Sequence, residues 1–251
     1  MRAGQNKPLV LGHRGYRARF PENTLRAFRE ALAAGADGIE CDVQKTRDGR
    51  YVVIHDPTTG RTANADRPVA ESNLVDLQSL DFGWGERIPT VDELLAELPR
   101  GAWLDLELKE ETLRVDDCAP IIAALSSVRR DRLMVSSFSA ELLLPFRGTD
   151  ITVGFLVGEE AADLGLRALL RTLRRVRPAY VNLPIDMVPR LGARRAAALA
   201  LLLRALGYSL LFWTVNDPEH AWFAVRHGRI IVTDEVEAVI RLFRGSGFTA
   251  N

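Results

Sequence analysis

LVLGHRGYRARFPENTLRAFREALAAGADGIECDV, residues 9–43, holds a strand, a helix and a second strand in that order. LVLG (9–12) is a continuous apolar run, the pattern of a parallel strand buried on both faces. NTLRAFREALAAG follows, with Leu25, Phe28 and Leu32 on one helical face and a stop at Gly35. GIECDV (38–43) is again strand-like. A strand, a helix and a strand at this spacing make one βαβ unit, and such units build parallel sheets.

Reading outward, the same alternation runs to the end of the chain. Further strand-like runs are AWLDLEL (102–108), LMVSSF (133–138), ITVGFLV (151–157), AYVNLP (179–184), SLLFWTV (209–215) and RIIVTD (229–234). Helices between them have readable starts. Thr90 with Glu93 forms a capping-box pattern before LLAEL. Asp217-Pro218-Glu219 supplies a cap, a first-turn proline and an acid at the positive end of the dipole. Eight strands each followed by a helix, without linker or repeat, predict a parallel (β/α)₈ TIM barrel, one domain over residues 1–251. The length of 251 residues is usual for that fold. A doubly wound open sheet is the alternative.

One segment departs from the alternation. After GIECDV comes QKTRDGRYVVIHD (44–56), where Asp48-Gly49 is a strong hairpin signal. A two-residue turn there would set Asp42 directly opposite His55. The stretch from about 58 to 88, rich in Asp, Asn, Gly and Pro, reads as a short insertion on the barrel mouth.

Composition narrows the function. Hydrophobic residues are 47% and charged residues 26%, a folded and not a disordered chain. Lys+Arg and Asp+Glu both number 33, without the basic excess of a nucleic-acid binder. No apolar run is long enough to span a membrane, so no stable membrane insertion is expected. Two cysteines, Cys41 and Cys118, make no disulfide framework, and the first residues hold no apolar signal core. A cytoplasmic protein is expected.

In this fold, active sites form at the C-terminal ends of the strands. There the first strand leads into Gly12-His13-Arg14-Gly15. The second carries Glu40 and Asp42, whose i, i+2 spacing points both carboxylates to one face. The third barrel strand repeats the spacing with Glu107 and Lys109, and the hairpin brings back His55. Three carboxylates without cysteine make a hard oxygen site for one divalent ion, Mg²⁺ or Ca²⁺. Two histidines beside it can exchange protons near neutral pH. Arg14 and Lys109 suit an anionic substrate such as a phosphate. No P-loop and no GxGxxG after a strand is present, which argues against a nucleotide.

Taken together, these pieces resemble the glycerophosphodiester phosphodiesterase family. The resemblance is carried by Gly12-His13-Arg14-Gly15, Pro21-Glu22-Asn23-Thr24, Glu40-Cys41-Asp42-Val43, Thr46-Arg47-Asp48-Gly49 and His55-Asp56. It continues through Leu104-Asp105-Leu106-Glu107-Leu108-Lys109, Ser136-Ser137-Phe138, Trp213-Thr214-Val215-Asn216 and Thr233-Asp234. It implies metal ligation by Glu40, Asp42 and Glu107. It implies His13 and His55 as the acid/base pair, with Arg14 and Lys109 on the phosphate of a small glycerophosphodiester. The products implied are sn-glycerol 3-phosphate and an alcohol. Asp105 and Cys41 depart from residues common in the family, and neither replaces an implied catalytic group.

Blander readings compete at several positions. Glu22 and Asn23 are balanced between capping the first helix and holding a loop of the site, and Glu22 is also a candidate pocket residue. Phe138 and Trp213 are candidate pocket walls or core. Asp234 reads as a cap of the last helix, with a role at the substrate as the alternative. His220 and His227 read as structural, and the arginines of RALLRTLRRVRP (167–178) as a solvated face. A lysophospholipid or sphingolipid substrate would want an apolar lip, a secretion signal and disulfides. A silent phosphodiester sensor would be expected to lose one of the site residues, and all are kept.

Overall fold

The computed structural model describes residues 7–125 and 132–244. The expected span of 1–251 includes residues 1–6, 126–131 and 245–251, which lie outside the described residues. In chain order the elements begin with β1 (Leu9–His13), α1 (Leu25–Ala33), β2 (Gly38–Lys45), β3 (Tyr51–Val53), α2 (Leu74–Gln78) and α3 (Val91–Glu97). Next come β4 (Trp103–Leu108), α4 (Cys118–Ala124), β5 (Leu133–Ser137), α5 (Ala140–Leu143), β6 (Thr152–Leu156) and α6 (Glu159–Val176). The last part holds β7 (Tyr180–Pro184), α7 (Met187–Leu191), α8 (Ala193–Ala205), β8 (Ser209–Trp213), α9 (Pro218–His227), β9 (Ile230–Thr233) and α10 (Val236–Arg244).

The sheet runs β1-β9-β8-β7-β6-β5-β4-β2, every neighbour pair parallel, and β1 also pairs with β2. That last pairing closes an eight-stranded ring and rules out the open sheet. The fold is a TIM barrel. β3 lies outside the ring, antiparallel to β2, with one antiparallel bridge from Val52 to Thr90 on its other side.

Alternation along the strands builds two cores. Ile39, Cys41 and Val43 of β2 and Leu104, Leu106 and Leu108 of β4 belong to the main buried cluster, with helix residues such as Phe28, Ala31 and Leu94. Inside the ring, Leu11, Met134, Leu211, Ile230 and Val232 form a smaller cluster. The insertion has its own, in which Val69, Leu77, Leu80, Phe82 and Ile88 pack on Val52 and Ile54. Both cysteines are buried, and burial raises both thiols, Cys118 to about 11, so neither is a nucleophile near neutral pH.

Helix starts follow the expected chemistry. Thr90 Oγ1 accepts from Glu93 N at 3.1 Å while Glu93 Oε2 accepts from Thr90 N at 2.7 Å, a complete capping box. Asp217 caps α9 with Pro218 at its first position. The arginines at 167, 171, 174, 175 and 177 are exposed. No helix among the described residues is long and apolar enough to cross a membrane.

The hairpin corrects the sequence reading. The register pairs Val43 with Val53, Gln44 with Val52 and Lys45 with Tyr51. Asp42 O accepts from Ile54 N at 3.0 Å, so Ile54 and not His55 stands opposite Asp42. The cause is a three-residue turn. Thr46 N donates to Arg50 O and Gly49 N to Thr46 O, with Gly49 at φ +77°. Gly49 therefore supplies a left-handed third position after a tight turn, and the extra residue slips the register by one.

Candidate active site

The exit of β1 is compressed against α1. A Cβ on Gly12 would lie 2.7 Å from Gly15 O, and one on Gly15 would lie 2.6 Å from Ala27 C. Arg14 (φ 51°) and Asn23 (φ 56°) both take left-handed backbone, and Asn23 N donates to Arg14 O at 2.9 Å. Non-glycine residues held this way mark a backbone fixed by its surroundings. The caps of α1 are settled here too. Thr24 is the N-cap, through Ala27 N, and neither Glu22 nor Asn23 caps the helix. Asn23 Nδ2 instead donates to Asp42 Oδ2 at 2.9 Å.

Glu40, Asp42 and Glu107 come together as the sequence spacing implied. One carboxylate oxygen from each lies within 4.8 Å of the others, and all three residues are buried. Lys109 Nζ reaches Glu107 Oε1 at 2.8 Å and Asp42 Oδ1 at 3.3 Å. Burial works against the charge on Asp42, but Lys109, Arg14, His55 and the Asn23 hydrogen bond hold its pKa far below the usual range. Burial and the neighbouring carboxylates push Glu40 well up, and Glu107 up to about 7. Asp105 joins them, buried, accepting from Ser136 Oγ at 2.7 Å and raised by burial to about 7. Two cations, Arg14 and Lys109, face four carboxylates. An oxygen-only cluster that is short of positive charge fits a hard divalent ion.

Each site histidine is anchored by an aspartate on one ring nitrogen. His13 Nδ1 bonds Asp234 Oδ1 at 2.6 Å, and Asn216 Nδ2 donates to Asp234 Oδ2 at 2.8 Å. His55 Nδ1 bonds Asp56 Oδ1 at 2.6 Å. With Nδ1–H given to aspartate, the neutral ring keeps its lone pair on Nε2. His13 Nε2 lies 3.9 Å from Glu40 Oε2. His55 is placed by its backbone, since Gln44 Nε2 donates to His55 O at 2.8 Å beyond the end of β3. Burial lowers its pKa, and Lys109 and Arg14 add to that effect against the pull of Asp42.

Glu22 ties the two dyads together. Its carboxylate accepts from Arg14 Nη1 (2.8 Å) and from both terminal nitrogens of Arg61 (2.7 and 2.8 Å), and it pairs with Arg17 Nε at 3.0 Å. Arg61 Nε also donates to Asp56 Oδ2 at 2.5 Å, and Arg17 Nη1 lies 3.7 Å from Asp234 Oδ1. Burial opposes the Glu22 charge, yet the Arg61 hydrogen bonds and the Arg14 field hold its pKa at about 2.

A depressed carboxylate pKa stabilises the fold above its unfolded value and loses that contribution as pH falls through the folded value. For Glu22 the window runs from about 4.5 down to about 2. Thermal melts of wild type and Glu22→Gln are expected to differ by roughly 2–3 kcal/mol at pH 7. The two should converge as the pH approaches 2. A difference independent of pH over that range would mean that the carboxylate charge is not what the arginines hold.

His13, Arg14, Glu40, His55, Glu107 and Lys109 all line one cavity of about 370 Å³, with Phe138 and Trp213 on its wall in edge-to-face contact. Asp42 lies beneath, 1% exposed. Glu22 does not line the cavity, because the arginines behind it take up its carboxylate. Asp234 is a hydrogen-bond acceptor for His13, against the cap reading. His220, bonded to Asp217 in α9, and His227, against Phe223, lie apart from the site. Sequence pattern assigns no role to Asp56, Arg17 or Arg61. Asp56 follows His55 directly, which is a local signal, whereas Arg61 belongs to the insertion and only the fold brings it near.

The sequence profile of the glycerophosphoryl diester phosphodiesterase family matches residues 13–238. A glycerophosphodiester phosphodiesterase of Caldanaerobacter subterraneus subsp. tengcongensis is 32% identical, over 96% of this chain and all of that protein. The Thermotoga maritima glycerophosphodiester phosphodiesterase superposes with a TM-score of 0.82 at 28% identity, covering 95% of this chain and all of that one. An Oleispira antarctica phosphodiesterase, solved with its product sn-glycerol-3-phosphate, gives a TM-score of 0.81 at 25% identity, covering 95% and 97% of the two chains.

Proposed function

The chain belongs to the glycerophosphoryl diester phosphodiesterase family, and from that membership we propose a metal-dependent hydrolysis of glycerophosphodiesters to sn-glycerol 3-phosphate and an alcohol. The observation that carries the metal dependence is the buried cluster of Glu40, Asp42 and Glu107, whose carboxylates lie together with too few cations to balance them. These three residues would hold one Mg²⁺ or Ca²⁺ ion. When bound, the ion supplies Lewis-acid polarisation of the phosphoryl group.

The protein's own groups then divide the work. Arg14 and Lys109 offset the phosphate charge, which grows as the nucleophile adds. His13 and His55 reach the cavity from β1 and from the hairpin, each with Nδ1 fixed and Nε2 able to take or give a proton. One ring serves the nucleophile and the other the leaving oxygen. The product seen in the Oleispira antarctica relative supports sn-glycerol 3-phosphate as the product of this chain. Residues 1–251 are read as one catalytic domain that acts in the cytoplasm, without nucleic acid and without stable membrane insertion.

Lys109 gives a test that separates catalysis from ion pairing. Lys109→Met should lower kcat by about 10²-fold, more than it raises KM, because the added charge appears in the transition state. Its melting temperature with metal saturating should stay near that of wild type. A large fall in melting temperature with kcat unchanged would make Lys109 only the buried partner of Glu107 and Asp42.

A further inference from the structure

Inside the cavity the polar side-chain atoms of two residues have no hydrogen-bond partner among the described residues. Asn182, in the middle of β7, is completely buried and lines the cavity. Neither its carboxamide nitrogen nor its oxygen has a hydrogen-bond partner among the described residues. Its register neighbours are Leu156 and Leu211, which have no polar side-chain atoms to offer. The space for it is kept open by Gly154, since a Cβ there would come within 2.9 Å of both Asn182 Nδ2 and Met134 Sδ. On β8 the indole nitrogen of Trp213 is likewise buried without a partner and lines the same cavity. Buried amides are rarely left unpaired, so a group that bonds both atoms is missing from the protein itself.

Position says which part of a substrate that is. Around the ring, β7 is separated from β2 by β4, β5 and β6 one way and by β1, β9 and β8 the other, so it stands opposite the strand that carries two of the three proposed metal ligands. The phosphate is taken up near β1, β2 and β4 by Arg14 and Lys109. Past Lys109 and Phe138 a second hollow of about 470 Å³ opens toward Glu110 and Glu111, with room for an alcohol of variable size. The enclosed wall at Asn182 is left for the constant half of the substrate.

We propose that Asn182 is a specificity-determining residue that binds the terminal hydroxyl of the glycerol moiety. Its NH₂ donates to that hydroxyl and its carbonyl oxygen accepts from it, with Trp213 Nε1 as a further donor. This assignment rests on the glycerophosphodiester reading above.

The test is steady-state kinetics of the full chain with metal on two substrates. One is glycerophosphocholine. The other is the same diester built on propane-1,2-diol, which lacks only the terminal hydroxyl and keeps the one beside the ester carbon. Wild type should prefer the glycerol substrate by about 10²-fold or more in kcat/KM, because the analogue leaves the amide unpaired. Asn182→Leu and Asn182→Ala should bring that preference to within about 5-fold by losing rate on the glycerol substrate alone. Asn182→Leu should also melt at or above the wild-type temperature, since an apolar side chain replaces an unpaired amide. An unchanged preference in the variants, or an equal loss on both substrates as expected of an amide that only holds water, would overturn the assignment. If wild type hydrolyses neither diester, the glycerophosphodiester reading itself fails, and Asn182 with it.

Discussion

Replacing either site histidine by alanine is expected to lower kcat on glycerophosphocholine by about 10²-fold or more. The expectation follows from geometry. His13 and His55 arise on different elements, line the same cavity, and present Nε2 because Asp234 and Asp56 occupy Nδ1 at 2.6 Å each. A base and an acid acting in one turnover give a bell-shaped pH–rate profile in wild type, and removing one ring should remove one limb. Choline and glycerol are poor leaving groups, so the step that protonates the leaving oxygen cannot be bypassed cheaply. Near wild-type rates from either alanine variant would show that the two rings do not act as a pair.

Loss of the metal site should be more severe. Chelation is expected to abolish turnover, and Mg²⁺ or Ca²⁺ to restore it. Asp42→Asn should do the same permanently, because Asp42 is the carboxylate held most firmly in its charged form. Stability offers an independent readout. Ion binding at a concentration about 100-fold above Kd stabilises a protein by about 2.7 kcal/mol, roughly 5–10 °C in melting temperature for a chain of this size. Burial first and repulsion between the carboxylates second raise Glu40 and Glu107, and a bound cation offsets both, which is the physical source of that gain. Wild type should show the shift with added ion, and Asp42→Asn should not. Full activity in excess chelator, with no shift in wild type, would remove the metal from the mechanism.

Much of this was legible in the sequence because periodicity is a local property. Glu40 and Asp42, and Glu107 and Lys109, had to share a face once their runs were read as strands, and the parallel register between β2 and β4 sets Asp42 beside Glu107. The order of eight strand-and-helix units likewise points to the ring, while the open-sheet alternative falls only to the β1–β2 pairing in space. The hairpin failed at one residue. Asp-Gly suits a two-residue turn, but Thr46 caps a three-residue one, its hydroxyl accepting from Arg50 N at 2.9 Å and donating to Asp48 at 2.6 Å. Choosing between those turns depends on side-chain hydrogen bonds that strand patterning does not encode.

Other parts were hidden because they depend on distance in space alone. Glu22 lies 39 residues from Arg61, and Asp234 lies 221 residues from His13. Near a helix start Asp234 reads as a cap, and Glu22 is balanced between a cap and a loop of the site. Asn182 gave no signal at all, because AYVNLP reads as a strand whether or not its polar residue has a partner.

Which ester bond of a glycerophosphodiester is cleaved, and whether a metal is needed, is read from the products. Purified protein would be incubated with glycerophosphocholine, glycerophosphoethanolamine and glycerophosphoglycerol, with Mg²⁺ or Ca²⁺ and separately with chelator, and sn-glycerol 3-phosphate and the free alcohol would be quantified. The expected result is equal amounts of both products with metal and neither with chelator. Release of phosphocholine or phosphoethanolamine with free glycerol, or no hydrolysis of any of the three with metal present, would contradict it.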